Sequence, residues 1–481
     1  MGELIPLTWF EALPGDSIQQ ATSLLLRVSP LLAPVMHPVH ARIHHWFVPN
    51  RLIWDKFEDF ITGGPDGMDA TIPPHIGGGV MTQGALGDYF GVPIGAIATE
   101  YSALPFRAYG LIWNEHYRDQ DLQPEITVST ASGLDTTTST TIQNCAWEKD
   151  YFTSARPWTQ KGPAVGVSLA ASAPVSGDGG QPTWKFGAGP PAGLFSDATA
   201  DPTVQWTLDG ATAADPGAGL AGWANPHLVA DLTSASVINI NELRTAFALQ
   251  RYAEARARFG SRYTEYLAYL GVNSPDARLQ RPEYLGGGKQ TIQFSEVLQT
   301  GPDNSATPSS VVGDLKGHGI GAMRSNRYRR FFPEHGIVMS LLSVKPKTMY
   351  SQGLHRSWLR FTKEDYFQRE LQHVGQQAIK KAELFAIDPA ADDTWGYQDR
   401  YDDYRRMESS IAADFRSTLD HWHYARIFAG GTAPVLNGDF IKADPTKRPN
   451  AVQTEDVLWI QAYHSIQARR MVARTGTSFI L

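Results

Sequence analysis

Glycine and proline interrupt this chain too often for a mostly helical protein. Forty-four glycines and thirty-one prolines are spread over 481 residues. Both fit helix interiors poorly and form turns readily. The chain must therefore be assembled from many short strands joined by turns and long loops, a mainly β architecture. Hydrophobic residues at 42% and charged residues at 19% supply enough apolar side chain for a sizeable core. The length allows two or three ordinary domains, or one domain with large insertions.

One stretch stands apart. Residues 162–240 are crowded with Gly, Pro, Ala, Ser and Asp, carry no arginine, and hold Lys185 as their only basic residue. Such a composition reads as a long surface excursion rather than core. Trp184, Phe186, Phe195, Trp206 and Trp223 indicate that it packs on itself or on a neighbour, because a disordered linker carries few aromatics. Helices are few. Pro105 opens one, with Tyr109, Ile112, Trp113 and His116 on a single face. Residues 242–259 form another, in which Glu242 follows Asn239 as a capping-box partner. A third is expected after Thr362, which has Asp365 three residues on, with Phe367, Leu371, Val374, Ala378 and Phe385 as the buried stripe. The runs "VHARIHHWFV" (39–48) and "GIVMSLLSV" (336–344) read as strands.

Four histidines lie between positions 37 and 45. His37, His40 and His44 have spacings that would share a helix face and suit zinc, but Pro34 and Pro38 oppose a helix. Read as a strand, Val39, Ala41, Ile43, His45 and Phe47 share one face, and His40, Arg42, His44 and Trp46 the other. Arg42 between two histidines repels a cation. "LGGGKQT" (285–291) lacks the residues of a phosphate loop, and "GHGIGA" (317–322) lacks the strand-then-helix setting of a dinucleotide fingerprint; a glycine turn is the expectation there. His421 and His423, beside Asp420, could be drawn as an acid/base pair on a strand, but no nucleophile elbow or zinc-protease motif accompanies them.

The strongest basic cluster is "RSNRYRRFF" (324–332). Arg324, Arg327, Arg329 and Arg330 interleave with Tyr328, Phe331 and Phe332. Guanidinium groups neutralise phosphates while aromatic faces stack on bases, so the cluster suits single-stranded nucleic acid. An ordinary solvated or intersubunit face paired with "DDTWGYQDRYDDY" (392–404) is the competing reading. The formal net charge of −7 argues against a surface that coats nucleic acid throughout. Cys145 is the single cysteine, so no intrachain disulfide is available. The most apolar run, 24–35, is broken by Arg27, Pro30 and Pro34 and is too short for a membrane span.

Seven phrases then identify a family. They are "FVPNRLIWDKFEDF" (47–60), "LPFRAYGLIWNEHYRDQDLQ" (104–123), "DYFTSARPWTQKGP" (150–163), "ELRTAFALQRYAEARARFGSRYTEYLAYLGVNSPDARLQRPEYLGG" (242–287), "EHGIVMSLLSV" (334–344), "WGYQDRYDDYRR" (395–406) and "FRSTLDHWH" (415–423). In this order they resemble the major capsid proteins of the Microviridae, small icosahedral single-stranded DNA phages, and look closest to gokushovirus-like members. The C-terminal "RRMVARTGTSFIL" (469–481) and the Arg256, Arg258, Gly260 stretch depart from the family's usual pattern.

The resemblance implies a single eight-stranded antiparallel jelly roll over 1–481, elaborated by helices and long loops, with 162–240 as an insertion that forms a surface protrusion. It implies a non-enzymatic virion protein, without cofactor or metal, that assembles with itself into a T=1 icosahedral shell around a circular single-stranded DNA genome. Assembly would take place in the host cytoplasm. Implied partners are the DNA, a small basic DNA-associated protein, an internal scaffolding protein, a minor pilot protein for DNA delivery and a host surface receptor. On this view Arg324, Arg327, Tyr328, Arg329 and Arg330 are interior DNA contacts. His40 and His44 would form a pH-sensitive interface. Two other readings stay open on the residues alone. Thirteen tryptophans and many acidic residues would suit a β-sandwich carbohydrate-active or carbohydrate-binding protein, and the arginine cluster would suit a monomeric nucleic-acid binder.

Overall fold

The computed structural model describes residues 1–163, 165, 175–178, 183–186, 192–196, 206–208, 221–225, 227–230, 240–259, 262–272, 275–301 and 312–472. The chain divides into two compact units. One comprises Met1–Lys161 with Glu254–Leu481, and the other is Gly162–Ala253.

The first unit is built on eight strands: β1 (Leu4–Ala12), β2 (Asp16–Leu31), β3 (Val39–Pro49), β4 (Glu283–Leu298), β5 (Leu315–Arg324), β6 (Tyr328–Phe332), β7 (Gly336–Pro346) and β8 (Leu458–Arg469). All pair antiparallel, in the order β1-β7-β3-β4-β5-β2. β5 and β6 follow one another along one edge of β2, and β8 takes its other edge. The sheet curls, so the even-numbered face of β2 meets the odd-numbered face of β3. Leu24, Leu26 and Val28 of β2 pack there with Val39, Ala41 and Ile43 of β3 and Leu342 and Val344 of β7. Farther along, Ile18 meets Phe47, Phe332 and Val338. The alternation read from 39–48 is the one observed.

Between these two apolar clusters lies a buried polar belt. His45 approaches Ser340 Oγ through Nδ1 (2.7 Å) and Ser325 Oγ through Nε2 (2.9 Å). Gln20 donates to Ser340 (3.2 Å) and accepts from the Tyr328 hydroxyl (2.7 Å). The Thr22 amide donates to Ser325 (2.9 Å), and its hydroxyl meets His464 of β8 (3.0 Å). Gln20, Thr22, His45 and Ser340 are fully buried. A buried donor or acceptor left unpaired costs about 1–3 kcal/mol, so the belt ties β2, β3, β7 and β8 to one register.

The outer face of β1, β7 and β3 is covered by α1 (Leu104–His116), with proline in its first turn. Its Phe106, Tyr109, Ile112 and Trp113 pack on Trp46, Val48, Met339 and Leu341. Tyr109 donates its hydroxyl to the Leu4 carbonyl at 2.9 Å, and the Trp113 indole donates to Asn144 O at 2.8 Å. The longer of the other helices are α2 (Ile240–Phe259), which contains the expected 242–259 segment, and α3 (Tyr263–Tyr269). Among the described residues no helix is long and apolar enough to cross a membrane.

Two expectations are corrected. Thr362 does bond Asp365, amide to Oδ2 at 2.9 Å, but no long helix follows. Gly375 takes φ +79, a left-handed conformation that ends a helix, and Gln376–Lys380 instead pairs with Thr394–Asp399 as a strand. Phe367 and Val374 of the supposed stripe are exposed, and only Phe385 of it is fully buried. Residues 317–322 are not a turn either, because they lie within β5. Gly317, Gly319 and Gly321 point inward there. A Cβ on Gly319 would lie 2.6 Å from Val28 Cγ2, and one on Gly317 2.4 Å from Ala33 O. These glycines permit close packing of β5.

In the second unit Val175–Gly177 pairs with Leu228–Ala230. A four-stranded sheet runs in the order Trp206–Leu208, Ala192–Ser196, Thr183–Phe186, Ala221–Asn225. The side chains of Trp184, Phe186, Phe195, Trp206 and Trp223, and the Asn239 cap, fall outside the described residues.

The belt is expected to make the fold acid-sensitive. Burial, with the nearby His464 and His44, lowers the His45 pKa from 6.5 to about 4. His37, His44 and His116 are lowered to about 4 as well, chiefly by burial. Between pH 6.5 and 4 the unfolded chain therefore binds more protons than the folded one, and stability falls as pH falls through that window. His45→Gln should flatten the slope of unfolding free energy against pH by up to about 3 kcal/mol over the window. Urea melts across it provide the check; an unchanged slope would contradict a neutral His45.

Candidate nucleic-acid interface

With the even-numbered side chains of β2 turned inward, its odd-numbered ones form an outer face that, among the described residues, no helix covers. Strand register sets the rows on that face. Arg27 lies between Ile320 of β5 and Trp459 of β8, and Ser23 between Arg324 and Tyr463. Gln19 lies between Arg329 and Gln467, and Ser17 between Phe331 and Arg469. The Arg327 guanidinium lies 3.0 and 3.2 Å from the Gln19 side-chain amide, whose oxygen accepts when it is turned toward the arginine. Alternate residues repeat every 6.6–6.8 Å or so, so the face runs roughly 30 Å along β2.

Its chemistry is one-sided. Arg27, Arg324, Arg327, Arg329 and Arg469 are exposed, and among the described residues none has a carboxylate within ion-pair distance. Lys316 and His318 continue the exposed side of β5. Three aromatic rings stand on the same face: Phe331 at 58%, Trp459 at 49% and Tyr463 at 70% exposure. Unpaired guanidinium groups attract phosphates, and exposed rings give bases a stacking surface.

The structure separates the residues of the sequence cluster. Arg324, Arg327 and Arg329 belong to the open face. Arg330 pairs with Ile18, of opposite parity, and its guanidinium is held by Glu283 at 2.5 Å. Tyr328 points inward: its ring is 7% exposed and lies 5.4 Å from the His45 ring. It therefore offers no stacking surface here, and Phe331 is the exposed ring of the cluster. Arg27, Trp459, Tyr463 and Arg469 escape sequence reasoning because long-range strand pairing alone brings them to the site. Alternating exposed aromatics in "LWIQAYHSIQAR" (458–469) are the only local signal.

The histidines lie elsewhere. His40, half-buried, meets Thr291 Oγ1 at 3.1 Å, and burial and Lys289 lower its pKa. His44 meets the Tyr117 hydroxyl at 2.7 Å and is lowered to about 4 by burial, Arg42 and Lys345. His44 thus titrates well below mildly acid pH. Arg42 between them pairs with Glu148 at 2.8 Å. His421 and Asp420 sit in a single turn rather than a strand, and His423 is buried against the Phe415 carbonyl at 2.7 Å. The glycine segments 285–291 and 317–322 lie in β4 and β5.

Comparison with known proteins matches residues 1–480 to a family described as capsid protein (F protein). Capsid protein VP1 of Bdellovibrio phage phiMH2K is 36% identical over 475 residues, covering 94% of this chain and 87% of that one. Capsid protein VP1 of Chlamydia phage 1 is 32% identical, covering 94% and 88%. Capsid protein VP1 of Spiroplasma virus 4 is 30% identical, covering 92% and 85%.

Substitution can apportion the face. Each of Arg27→Gln, Arg324→Gln and Arg329→Gln should weaken binding of a labelled single-stranded oligonucleotide and reduce the log-affinity against log-salt slope by about 0.7. Trp459→Ala or Tyr463→Ala should cost about 1–3 kcal/mol of affinity without changing that slope. Arg330→Gln should leave both unchanged. A uniform effect of all six in fluorescence polarisation would contradict the assignment.

Proposed function

The chain belongs to the capsid protein (F protein) family of phages, and from that premise we propose that it closes a T=1 icosahedral shell around a circular single-stranded DNA genome, with the β5–β2–β8 face turned toward the DNA. Its role is structural, as a major capsid protein, and the carbohydrate-active reading has no support in this family. The observation that carries the proposal is the contrast between two sheet faces. The outer face of β1, β7 and β3 is sealed by α1, whereas that of β5, β2 and β8 carries three exposed rings and five exposed arginines that, among the described residues, have no carboxylate within ion-pair distance.

A net charge of −7 leaves most genome phosphates to other cations, which supports a small basic DNA-associated protein inside the particle. An internal scaffolding protein and a minor pilot protein complete the proposed assembly in the host cytoplasm. The acidic, arginine-free composition of 162–240 supports its assignment as an outward protrusion that meets a host receptor. The pH-sensitive interface proposed at His40 and His44 would respond only at strongly acid pH on the His44 side.

Two particle experiments test this reading. Replacing Arg27, Arg324, Arg327 and Arg329 together by Gln should leave spherical shells by electron microscopy but lower their DNA content. Normal DNA content would overturn the inward orientation of the face. Replacing 165–239 by a short Gly/Ser linker should leave shells intact and abolish adsorption to host cells; full adsorption would remove the receptor role.

A further inference from the structure

On the helix-covered side of the sandwich, beyond the end of α1, lies a cavity of about 320 Å³. Its floor is the outer face of β3 and β7, where Arg42 stands opposite Ser343 in the register and Lys345 lies two residues on. Arg118, which follows α1, and Arg262, which precedes α3, approach from the side. Six cationic side chains line it against four carboxylates.

Those carboxylates are already engaged. Arg42 holds Glu148 at 2.8 Å. Lys149 and Arg156 hold Asp119, and Arg156 and Lys161 hold Asp121 at 3.0 and 2.7 Å. Glu265 accepts the Arg262 backbone amide at 3.1 Å. Arg118 holds Glu125 through its Nη2, which leaves two cations over. Lys345 donates to the Ala146 carbonyl at 2.7 Å, and Arg262 to the Arg118 carbonyl at 3.0 Å; among the described residues neither has a carboxylate within ion-pair distance. The Nε–H groups of Arg42, Arg118 and Arg262 are buried and, among the described residues, have no acceptor. Burial, which outweighs the more distant carboxylates, depresses the pKa of Lys345 and Arg262.

A pocket that gathers surplus donors and positive charge is complementary to an oxyanion with several acceptor oxygens. It repels a metal ion and offers nothing to a neutral apolar ligand. We propose that this cavity is a phosphate-binding site, with Lys345 and Arg262 neutralising the anion and the Arg42 and Arg118 Nε–H groups hydrogen-bonding its oxygens. The phosphate chemistry has two sources, a free phosphate group or a phosphodiester of the packaged strand. The cavity and the arginine face lie on opposite outer sides of the sandwich. If the proposed orientation of that face is right, a free phosphate is the occupant.

The test uses the full-length chain and inorganic phosphate. At constant ionic strength, phosphate should raise the melting temperature above that in chloride, and equilibrium dialysis should find one site per chain. Lys345→Met removes an uncompensated buried charge. It should therefore leave the chloride melting temperature unchanged or higher while weakening phosphate binding about tenfold or more. A misfolded variant cannot give that combination. Arg262→Gln should weaken binding similarly. An unlabelled oligodeoxynucleotide should fail to displace the phosphate; displacement assigns the site to the phosphodiester. No phosphate-dependent stabilisation of the wild type, or the same stabilisation in Lys345→Met, would overturn the proposal. Neither result depends on how the arginine face is oriented in a particle.

Discussion

The buried belt centred on His45 governs what this molecule shows to its surroundings. Side chains alternate along a strand, so a slip of one residue exchanges its two faces completely. A slip in β2 would bury Arg27 and expose Leu24 and Leu26. Purely apolar contacts tolerate repacking, but His45 needs a hydroxyl at each nitrogen, and Ser340 and Ser325 supply them. Gln20 and Thr22 bring β2 into the same network, and His464 brings in β8. The register that satisfies the belt is the one that places Arg27, Trp459, Arg324 and Tyr463 outside. Which side chains reach the surface thus depends on hydrogen bonding in the core.

The two outer faces of the sandwich receive opposite treatment. Over β1, β7 and β3, α1 contributes Phe106, Tyr109, Ile112 and Trp113 and removes that face from water. Where α1 ends, the same face passes into the cationic cavity floored by Arg42, Ser343 and Lys345. Over β5, β2 and β8 no helix covers the sheet among the described residues, and large aromatic side chains stand beside exposed arginines that have no ion-pair partner there. Exposed rings in that company are what the proposed DNA contact would use. A shell needs such asymmetry, because each subunit has an inside, an outside and edges.

Much of this was legible locally and some was not. The alternation in 39–48 and the apolar face of 104–116 follow from period alone, and both hold in the structure. The helix expected after Thr362 fails although its cap bond forms, because Gly375 turns the chain and the following residues find a strand partner. Arginine clustering pointed to Arg324–Arg330 but could not separate Arg329, on the open face, from Arg330, turned to Glu283. Composition could not reveal that Tyr328 is a core residue. The partners of Arg27 are some 290 and 430 residues away in sequence, through pairing that no local pattern encodes.

The central claim is that the β5–β2–β8 face lies against single-stranded DNA. Ultraviolet crosslinking of DNA-filled particles, followed by mass spectrometric mapping of the nucleotide adducts, tests it most directly. Aromatic rings stacked on bases crosslink efficiently, so the account expects adducts at Phe331, Trp459 and Tyr463 and none at the buried Tyr328. Adducts confined to other parts of the chain, with those three rings unmodified, would contradict it.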